Sequence, residues 1–177
     1  NYDNVESVFS KFMPDVIINA AAMTNVDACE TDKEGALLLN TTSVQNQVAV
    51  LEKLQKENPN YKPHFIHLST DFIFDGTHGP LDETEKPNPL SYYAETKLEA
   101  EKIIQASSLH WAMARTVLVY GIVDNMSRSN IVLWVKQNLE QGKTINVVDD
   151  QYRTPTLAED LADGCILIAE KKASGIY

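Results

Sequence analysis

The 177-residue sequence lacks clusters of basic side chains, long apolar runs and paired cysteines. Its net charge is −10, and without grouped Lys or Arg it cannot neutralise a phosphate backbone, which argues against a nucleic-acid partner. No apolar run approaches the roughly 20 residues that span a bilayer, so we expect no membrane partner. Cys29 and Cys165 lie far apart without metal-ligand spacing, which favours reduced thiols in a cytoplasmic protein and no bound metal.

A further absence concerns glycine. The sequence contains neither Gly-x-x-Gly-x-x-Gly nor Gly-x-Gly-x-x-Gly, the turns that place a dinucleotide pyrophosphate on a helix N-terminus. An apolar run at residues 175–177 indicates a strand that is only beginning where the sequence ends. We therefore expect a fragment of a longer enzyme, truncated at both ends.

Short apolar runs alternate with amphipathic stretches along the chain. Helices are predicted at residues 3–12, 33–57, 89–107 (with Asn88 as N-cap), 129–141 and 157–170, and strands at 15–20, 64–69, 111–120 and 145–148. A loop rich in Gly, Pro and acidic residues is predicted at 75–87. Strands that alternate with helices of this length imply right-handed crossovers, so the sequence predicts an α/β fold with a mainly parallel sheet and flanking helices.

Polar side chains lie at the carboxyl ends of three of the predicted strands, at Asn19, at Ser69-Thr70-Asp71 and at Tyr120. The carboxyl ends of parallel strands lie along one edge of the sheet, and ligands bind in the crevice beyond that edge. The sequence therefore predicts a site there. His64 and His67 are three residues apart on one strand, so they face opposite sides, and packing or surface placement is favoured over a metal site.

Tyr93 and Lys97 are four residues apart on the predicted helix that follows Asp71, so their side chains share one face. An isolated phenol is a weak acid near neutrality, and an ammonium beside it favours the phenolate and lowers its pKa. The hydroxyl of Thr70 could hold a carbonyl or alcohol oxygen against this phenol. The arrangement predicts acid/base chemistry for the interconversion of a carbonyl and an alcohol.

Several long motifs in the same order give the chain a family resemblance. They are Asn19-Ala20-Ala21-Ala22-Met23-Thr24-Asn25-Val26-Asp27, Leu38-Leu39-Asn40-Thr41-Thr42-Ser43-Val44, Ser69-Thr70-Asp71-Phe72-Ile73-Phe74-Asp75-Gly76, Pro89-Leu90-Ser91-Tyr92-Tyr93-Ala94-Glu95-Thr96-Lys97, Arg115-Thr116, Val119-Tyr120-Gly121, and Asp149-Asp150-Gln151-Tyr152 before Pro155-Thr156. Over essentially its whole length the chain resembles the extended short-chain dehydrogenases/reductases. Within them it is most similar to the dTDP-4-dehydrorhamnose reductases, which reduce the 4-keto group of a nucleotide-linked sugar with NAD(P)H.

The resemblance assigns roles to individual residues. Tyr93 would donate the proton to the 4-oxygen of the sugar, and Lys97 would bind the nicotinamide ribose and tune Tyr93. Thr70 would hydrogen-bond the substrate oxygen, and Asp71 would lie beside the sugar. The residues expected to bind NADH or NADPH are Ala21, Ala22, Thr24, Asn40, Tyr93 and Lys97, with Asn40 as the helix asparagine that braces the site.

The resemblance also implies a domain and partners. Residues 1–177 would form one partial NAD(P)-binding, Rossmann-like domain that lacks the glycine-rich βαβ unit and most of a C-terminal substrate lobe. A nucleotide sugar is the expected substrate, for deoxysugar synthesis that supplies cell-surface polysaccharide, and a homodimer is one option for assembly. The selector between NADH and NADPH follows the second strand of the full sheet, which is absent from the sequence.

Departures from the family pattern keep two alternatives open. Ala94 stands where glycine is usual, Leu118 where the rhamnose-forming enzymes carry a tryptophan, and Arg153-Thr154 where small residues are usual. One alternative is a non-catalytic, nucleotide-binding regulatory subunit that resembles the methionine adenosyltransferase β subunit. The other is an epimerase or dehydratase that uses the same tyrosine and recycles a tightly held cofactor.

Overall fold

The computed structural model describes residues 1–122 and 130–177. The helices are α1 (Tyr2–Phe12), α2 (Val26–Thr31), α3 (Lys33–Leu37), α4 (Ser43–Glu57), α5 (Tyr92–Ala106), α6 (Ile131–Glu140) and α7 (Ala158–Lys171). The strands are β1 (Val16–Asn19), β2 (His64–Thr70), β3 (His110–Thr116), β4 (Val119–Tyr120), β5 (Thr156–Leu157) and β6 (Gly175–Ile176). None of the helices described has the length and apolar character needed to cross a bilayer.

The larger sheet has the strand order β1-β2-β3-β6, and every neighbouring pair in it is parallel. Its register places Asn19 opposite His67 and Thr70 opposite Thr116. β4 and β5 form a separate parallel pair. The predicted α/β fold with a mainly parallel sheet and flanking helices is confirmed, and so is the strand that begins near residue 175.

Helices cover both faces of the larger sheet. On one face α4 and α5 pack over the sheet and α1 packs beside them, in a core that contains Val44, Val48, Val50, Leu51, Leu54, Tyr61, Phe65, Ala100, Ile104, Leu109 and Met113. On the other face α7 packs through Cys165 against Ile66 and Ala112. Burial of this apolar surface is the main force that holds α5 against the end of β2, where the candidate site lies.

The predicted helix at 33–57 is helical throughout but not uniform. Residues Leu38–Thr42 form a π-helical segment between α3 and α4. π-turns insert an extra residue into the helical repeat and are common at functional sites. Here the segment holds the buried side chain of Asn40, which faces α5.

The helix that carries Tyr93 begins later than predicted. The side chain of Asn88 donates from Nδ2 to Asp75 Oδ2 over 2.9 Å, so it does not cap a helix. Ser91 is the N-cap instead, and its Oγ accepts from the Ala94 N–H over 3.3 Å. The prediction of Asn88 as N-cap is therefore wrong, and the cap is a serine one residue before α5.

The predicted strand at 111–120 is two strands, because the chain turns between β3 and β4. Leu118 has φ 41°, in the left-handed region that a side chain disfavours. After this turn β4 leaves the larger sheet and pairs with β5.

One other predicted element is absent from the described structure. The predicted strand at 145–148 is wrong: this mostly exposed segment pairs with no strand among the described residues. α6 lies within the helix predicted at 129–141, whose first residue is outside the described part of the chain. The short helix α2, capped by the side chain of Asn25, was not predicted.

Candidate active site

The Thr70 and Tyr93 hydroxyls meet at the carboxyl end of β2. Tyr93 lies in the first turn of α5 and is 8% exposed, and the Thr70 hydroxyl is near enough to its phenol to lower the pKa of that phenol by hydrogen bonding. Thr70 Oγ1 also accepts from the Phe72 N–H over 3.2 Å, because Thr70 caps the 3₁₀ turn that follows β2. The predicted approach of the Thr70 hydroxyl to the phenol is therefore present, held by a turn on one side and a helix on the other.

The pKa of Tyr93 is raised above its ordinary value, not lowered. Burial is the main cause; the hydrogen bond with Thr70 opposes it, and the charges of Asp71 and Cys29 add to it. The expectation that the Lys97 ammonium lowers the pKa of this phenol is wrong for the structure as it stands. The Lys97 amine contacts Leu68 and His67 instead of the phenol. Burial therefore determines the direction of the Tyr93 pKa shift, and the phenol stays protonated at neutral pH.

Lys97 is almost fully buried, with 2% of its surface exposed. Its Nζ donates to the Leu68 carbonyl oxygen over 2.7 Å and lies 3.2 Å from His67 Nε2. Burial lowers the pKa of Lys97 to about 8, although the carboxylate of Glu101, one turn further along α5, opposes this shift. An amine with this pKa can change its charge near physiological pH.

His67 is the residue near Lys97 that the sequence reasoning missed. It is fully buried, and its Nδ1 lies 3.0 Å from Asn19 Nδ2. The two histidines do face opposite sides of β2, as predicted, because His64 stacks on His110 with ring centroids 4.1 Å apart. Side chains alternate between the two faces of a strand, so residue 67 lies on the face of β2 that α5 covers. This alternation is the sequence signal that could have placed His67 near Lys97.

Asp71 pairs with a residue that the sequence reasoning noted but did not assign to the site. Arg153 Nη1 lies 3.2 Å from Asp71 Oδ2, while Thr70 Oγ1 donates to Asp71 Oδ1 over 3.2 Å. Burial raises the pKa of Asp71, and the charge of Arg153 is the largest effect that opposes it. Arg153 is the only basic residue between 144 and 170, which is the one signal in the sequence for this contact.

Asn40 ties the loop after β1 to the helix of Tyr93. Its Oδ1 accepts from the Met23 N–H over 2.7 Å, and its Nδ2 donates to Met23 O over 3.1 Å and to Thr96 Oγ1 over 3.0 Å. Asn40 is 1% exposed, and its Nδ2 donates both of the hydrogen bonds that it can make, so the side chain holds the loop against α5.

The loop after β1 carries the other residues expected to bind the cofactor. Ala21 and Thr24 are exposed, and Ala22 is partly exposed. The side chain of Met23 packs into the cluster that contains Tyr93, so the loop lies beside the phenol. The Ala21 N–H donates to Asn19 Oδ1 over 3.3 Å, and the exposed Thr24 hydroxyl has no hydrogen-bond partner within the described residues.

A family model and known proteins match this chain. The family model described as RmlD substrate binding domain matches residues 1–177. Methionine adenosyltransferase 2 subunit beta of Xenopus tropicalis is 33% identical over 98% of the chain, and dTDP-4-dehydrorhamnose reductase of Salmonella typhimurium strain LT2 is 38% identical over 92%. The chain spans about half the length of these curated relatives, 51% of each.

Solved structures agree with the fold. A dTDP-4-dehydrorhamnose reductase from Clostridium acetobutylicum matches all of the chain and 59% of its own length, with a TM-score of 0.85 and 32% identity. The Bacillus anthracis dTDP-4-dehydrorhamnose reductase, crystallised with NADP, matches the same shares with a TM-score of 0.88 and 25% identity. These matches confirm the Rossmann-like fold and the resemblance predicted from the motifs. The chain belongs to the RmlD substrate binding domain family.

Proposed function

We propose that this protein reduces the 4-keto group of a nucleotide-activated deoxysugar with NADH or NADPH, and that Tyr93 is the proton donor. The observation that carries the proposal is the buried phenol of Tyr93 beside the Thr70 hydroxyl, on the helix that also carries Lys97. A proton donor must hold its proton until the substrate oxygen becomes basic. The raised pKa of Tyr93 satisfies this requirement at neutral pH.

Thr70 and Asp71 would receive the sugar. The Thr70 hydroxyl now donates to Asp71 Oδ1, and a carbonyl oxygen placed beside Tyr93 would take over that proton as acceptor. Asp71, released from Thr70, would accept hydrogen bonds from sugar hydroxyls while Arg153 balances its charge. Substrate binding would thus exchange one hydrogen bond within the site for two to the sugar.

The cofactor would lie along the edge between the 20–25 loop and α5. When bound, a nicotinamide supplies the hydride that a carbonyl reduction needs. The backbone at Ala21 and Ala22 and the Thr24 hydroxyl would line it, with the loop fixed by Asn40. Lys97 and Tyr93 would contact its ribose. We also propose that residues 1–177 are one partial NAD(P)-binding domain of the whole protein, with a homodimer as one option for its assembly.

The test is net consumption of reduced cofactor by the full-length gene product. Purified protein is mixed with NADPH or NADH and a dTDP-4-keto-6-deoxysugar, and absorbance of the reduced nicotinamide and the sugar product are followed together. A reductase oxidises one cofactor per sugar reduced. A changed sugar without net cofactor oxidation would identify an epimerase or dehydratase instead, and no conversion of any keto sugar would remove the proposal.

The second candidate is a non-catalytic nucleotide-binding subunit that regulates a partner enzyme. It is favoured by the 33% identity to methionine adenosyltransferase 2 subunit beta and by Arg153, which occupies the substrate side of the site by pairing with Asp71. Co-purification with a stoichiometric methionine adenosyltransferase, together with no turnover of keto sugars, would establish this alternative. A protein that purifies alone and turns over keto sugars would exclude it.

A further inference from the structure

A buried chain of hydrogen bonds joins β1, β2 and α5 behind Tyr93. Asn19 Nδ2 lies 3.0 Å from His67 Nδ1, and His67 Nε2 lies 3.2 Å from Lys97 Nζ. The three side chains are 5%, 0% and 2% exposed, so water does not take the place of a missing partner. Each hydrogen in the chain therefore has to match a lone pair on its neighbour.

The Asn19 amide sets the direction of the chain. Its Oδ1 accepts from the Ala21 N–H over 3.3 Å, so its Nδ2 is the group that faces His67. An amide nitrogen only donates, which makes His67 Nδ1 the acceptor. Because burial keeps the pKa of His67 well below its ordinary value, the imidazole is neutral and its one proton lies on Nε2.

The Nε2 proton of His67 points at Lys97 Nζ, and an ammonium has no lone pair to accept it. An uncharged amine can accept this proton while one of its own N–H groups donates to Leu68 O over 2.7 Å. We propose that His67 is a positioning residue that holds the uncharged amine of Lys97 by donating its Nε2–H, with Asn19 fixing the tautomer. The lowered pKa of Lys97 agrees with this geometry.

The other titratable groups around Lys97 do not stabilise its uncharged amine. On its own helix Glu101 opposes it, and that carboxylate is neutralised by Arg115 of β3, with Nη2 2.7 Å from Oε2. Tyr93, one turn earlier, is protonated because its pKa is raised. From β2, the group that reaches Lys97 Nζ is His67, and β1 contributes only the neutral Asn19 behind it.

The proposal makes the charge of Lys97 depend on its position. Protonation of the amine brings an N–H of Lys97 against the Nε2–H of His67, and His67 cannot change tautomer without losing its bond from Asn19. The ammonium must therefore leave His67. The further step, in which the ammonium turns to the ribose hydroxyls and Tyr93, rests on the proposed function. The hydrogen bonds among Asn19, His67 and Lys97 do not depend on the proposed function.

The experiment titrates Lys97 in the full-length gene product without cofactor or substrate, so it does not depend on reductase activity. The Lys97 side-chain carbon resonance, assigned by its loss in Lys97→Met, is followed by NMR against pH. We expect a midpoint near 8 in the wild type. In His67→Phe the neutral amine loses its donor, so the midpoint should rise by about one pH unit, the size of a net hydrogen bond.

His64→Phe is the matched control, because His64 is a buried histidine on the opposite face of the same strand and should leave the midpoint unchanged. A midpoint that falls in His67→Phe would show that His67 accepts from an ammonium, and an unchanged midpoint would show that it only packs; either result overturns the proposal. Should His67→Phe fail to fold, the ¹⁵N chemical shifts of the His67 ring in the wild type show which ring nitrogen carries the proton. A proton on Nε2 supports the proposal, and a proton on Nδ1 overturns it.

Discussion

Arg153 reaches across 82 residues of sequence to place its Nη1 3.2 Å from Asp71 Oδ2, beside the threonine of the candidate site. Its guanidinium also lies over the Phe72 ring, 4.8 Å from the centroid, and Phe72 meets the Tyr93 ring edge-on at 5.9 Å. One side chain from the segment before β5 thus touches both the carboxylate and the aromatic wall of the site. This contact joins the two halves of the chain at the point where the substrate is proposed to bind.

Replacement of Arg153 should make Asp71 a weaker acid. Burial already raises the pKa of Asp71, and Arg153 is the largest effect that opposes this rise. In Arg153→Gln we expect the pKa of Asp71 to rise further, measured by the carboxyl ¹³C shift against pH. Lys143→Gln removes an exposed positive charge without an ion pair among the described residues and should leave that pKa unchanged. The same value in Arg153→Gln and the wild type would contradict the ion pair.

Lys97 should cost stability at neutral pH and not at alkaline pH. Its pKa is about 8 in the folded chain and 10.5 in the ordinary state, so below pH 8 both states carry the proton and folding bears the full desolvation cost. Between pH 8 and 10.5 the folded state loses its proton first, and the cost disappears. The free energy of unfolding of the wild type relative to Lys97→Met should therefore rise by about 3 kcal/mol over this range. Urea unfolding at pH 7.5, 9 and 10.5 measures this difference, and a difference independent of pH would refute the buried, low-pKa lysine.

The buried pair of Arg115 and Glu101 should anchor the helix that carries the site. Arg115 donates to both Glu101 oxygens, from Nη2 over 2.7 Å and from Nε over 3.1 Å, and Glu101 is fully buried. Arg115→Ala leaves that carboxylate unpaired and should lower the free energy of unfolding by about 3–5 kcal/mol. Replacement of both partners by Met and Leu should recover most of the loss.

The matched control for this pair is Lys102–Glu99 on the exposed side of the same helix, where Nζ lies 3.2 Å from Oε2. Lys102→Ala should change stability little, because exposed ion pairs are screened by water. Equal losses in Arg115→Ala and Lys102→Ala would show that burial does not distinguish the two pairs.

The parts of the fold predicted from the sequence are those fixed by local patterns. β1 lies in a short apolar run, and α1 and α4 repeat their apolar residues at helical spacing, so their positions follow from local sequence pattern. The break between β3 and β4 was missed because Leu118 adopts a left-handed conformation that no glycine marks. The false strand at 145–148 has apolar residues but no partner strand among the residues described, and pairing is a long-range property.

In the candidate site, too, the residues that could be predicted are those marked by local sequence patterns. Thr70, Tyr93 and Lys97 could be proposed as site residues because their spacing and motifs are local, and the structure brings Thr70 to Tyr93 as expected. The roles of His67 and Arg153 could not, because each depends on a partner from a distant part of the chain. The direction of the Tyr93 pKa shift could not be predicted from the sequence either, since it depends on how deeply the phenol is buried and on which atoms the Lys97 amine contacts.

The central claim is that the Tyr93 hydroxyl gives the proton to the substrate oxygen. The most direct test compares Tyr93→Phe with the wild type in the full-length gene product, with turnover of a dTDP-4-keto-6-deoxysugar measured by oxidation of NADPH. Tyr92→Phe is the control, since it removes a neighbouring hydroxyl that makes no hydrogen bond in the described structure. We predict that Tyr93→Phe lowers kcat by about 10²–10⁴-fold while Tyr92→Phe retains wild-type turnover. A folded Tyr93→Phe protein with near-wild-type kcat would contradict the account.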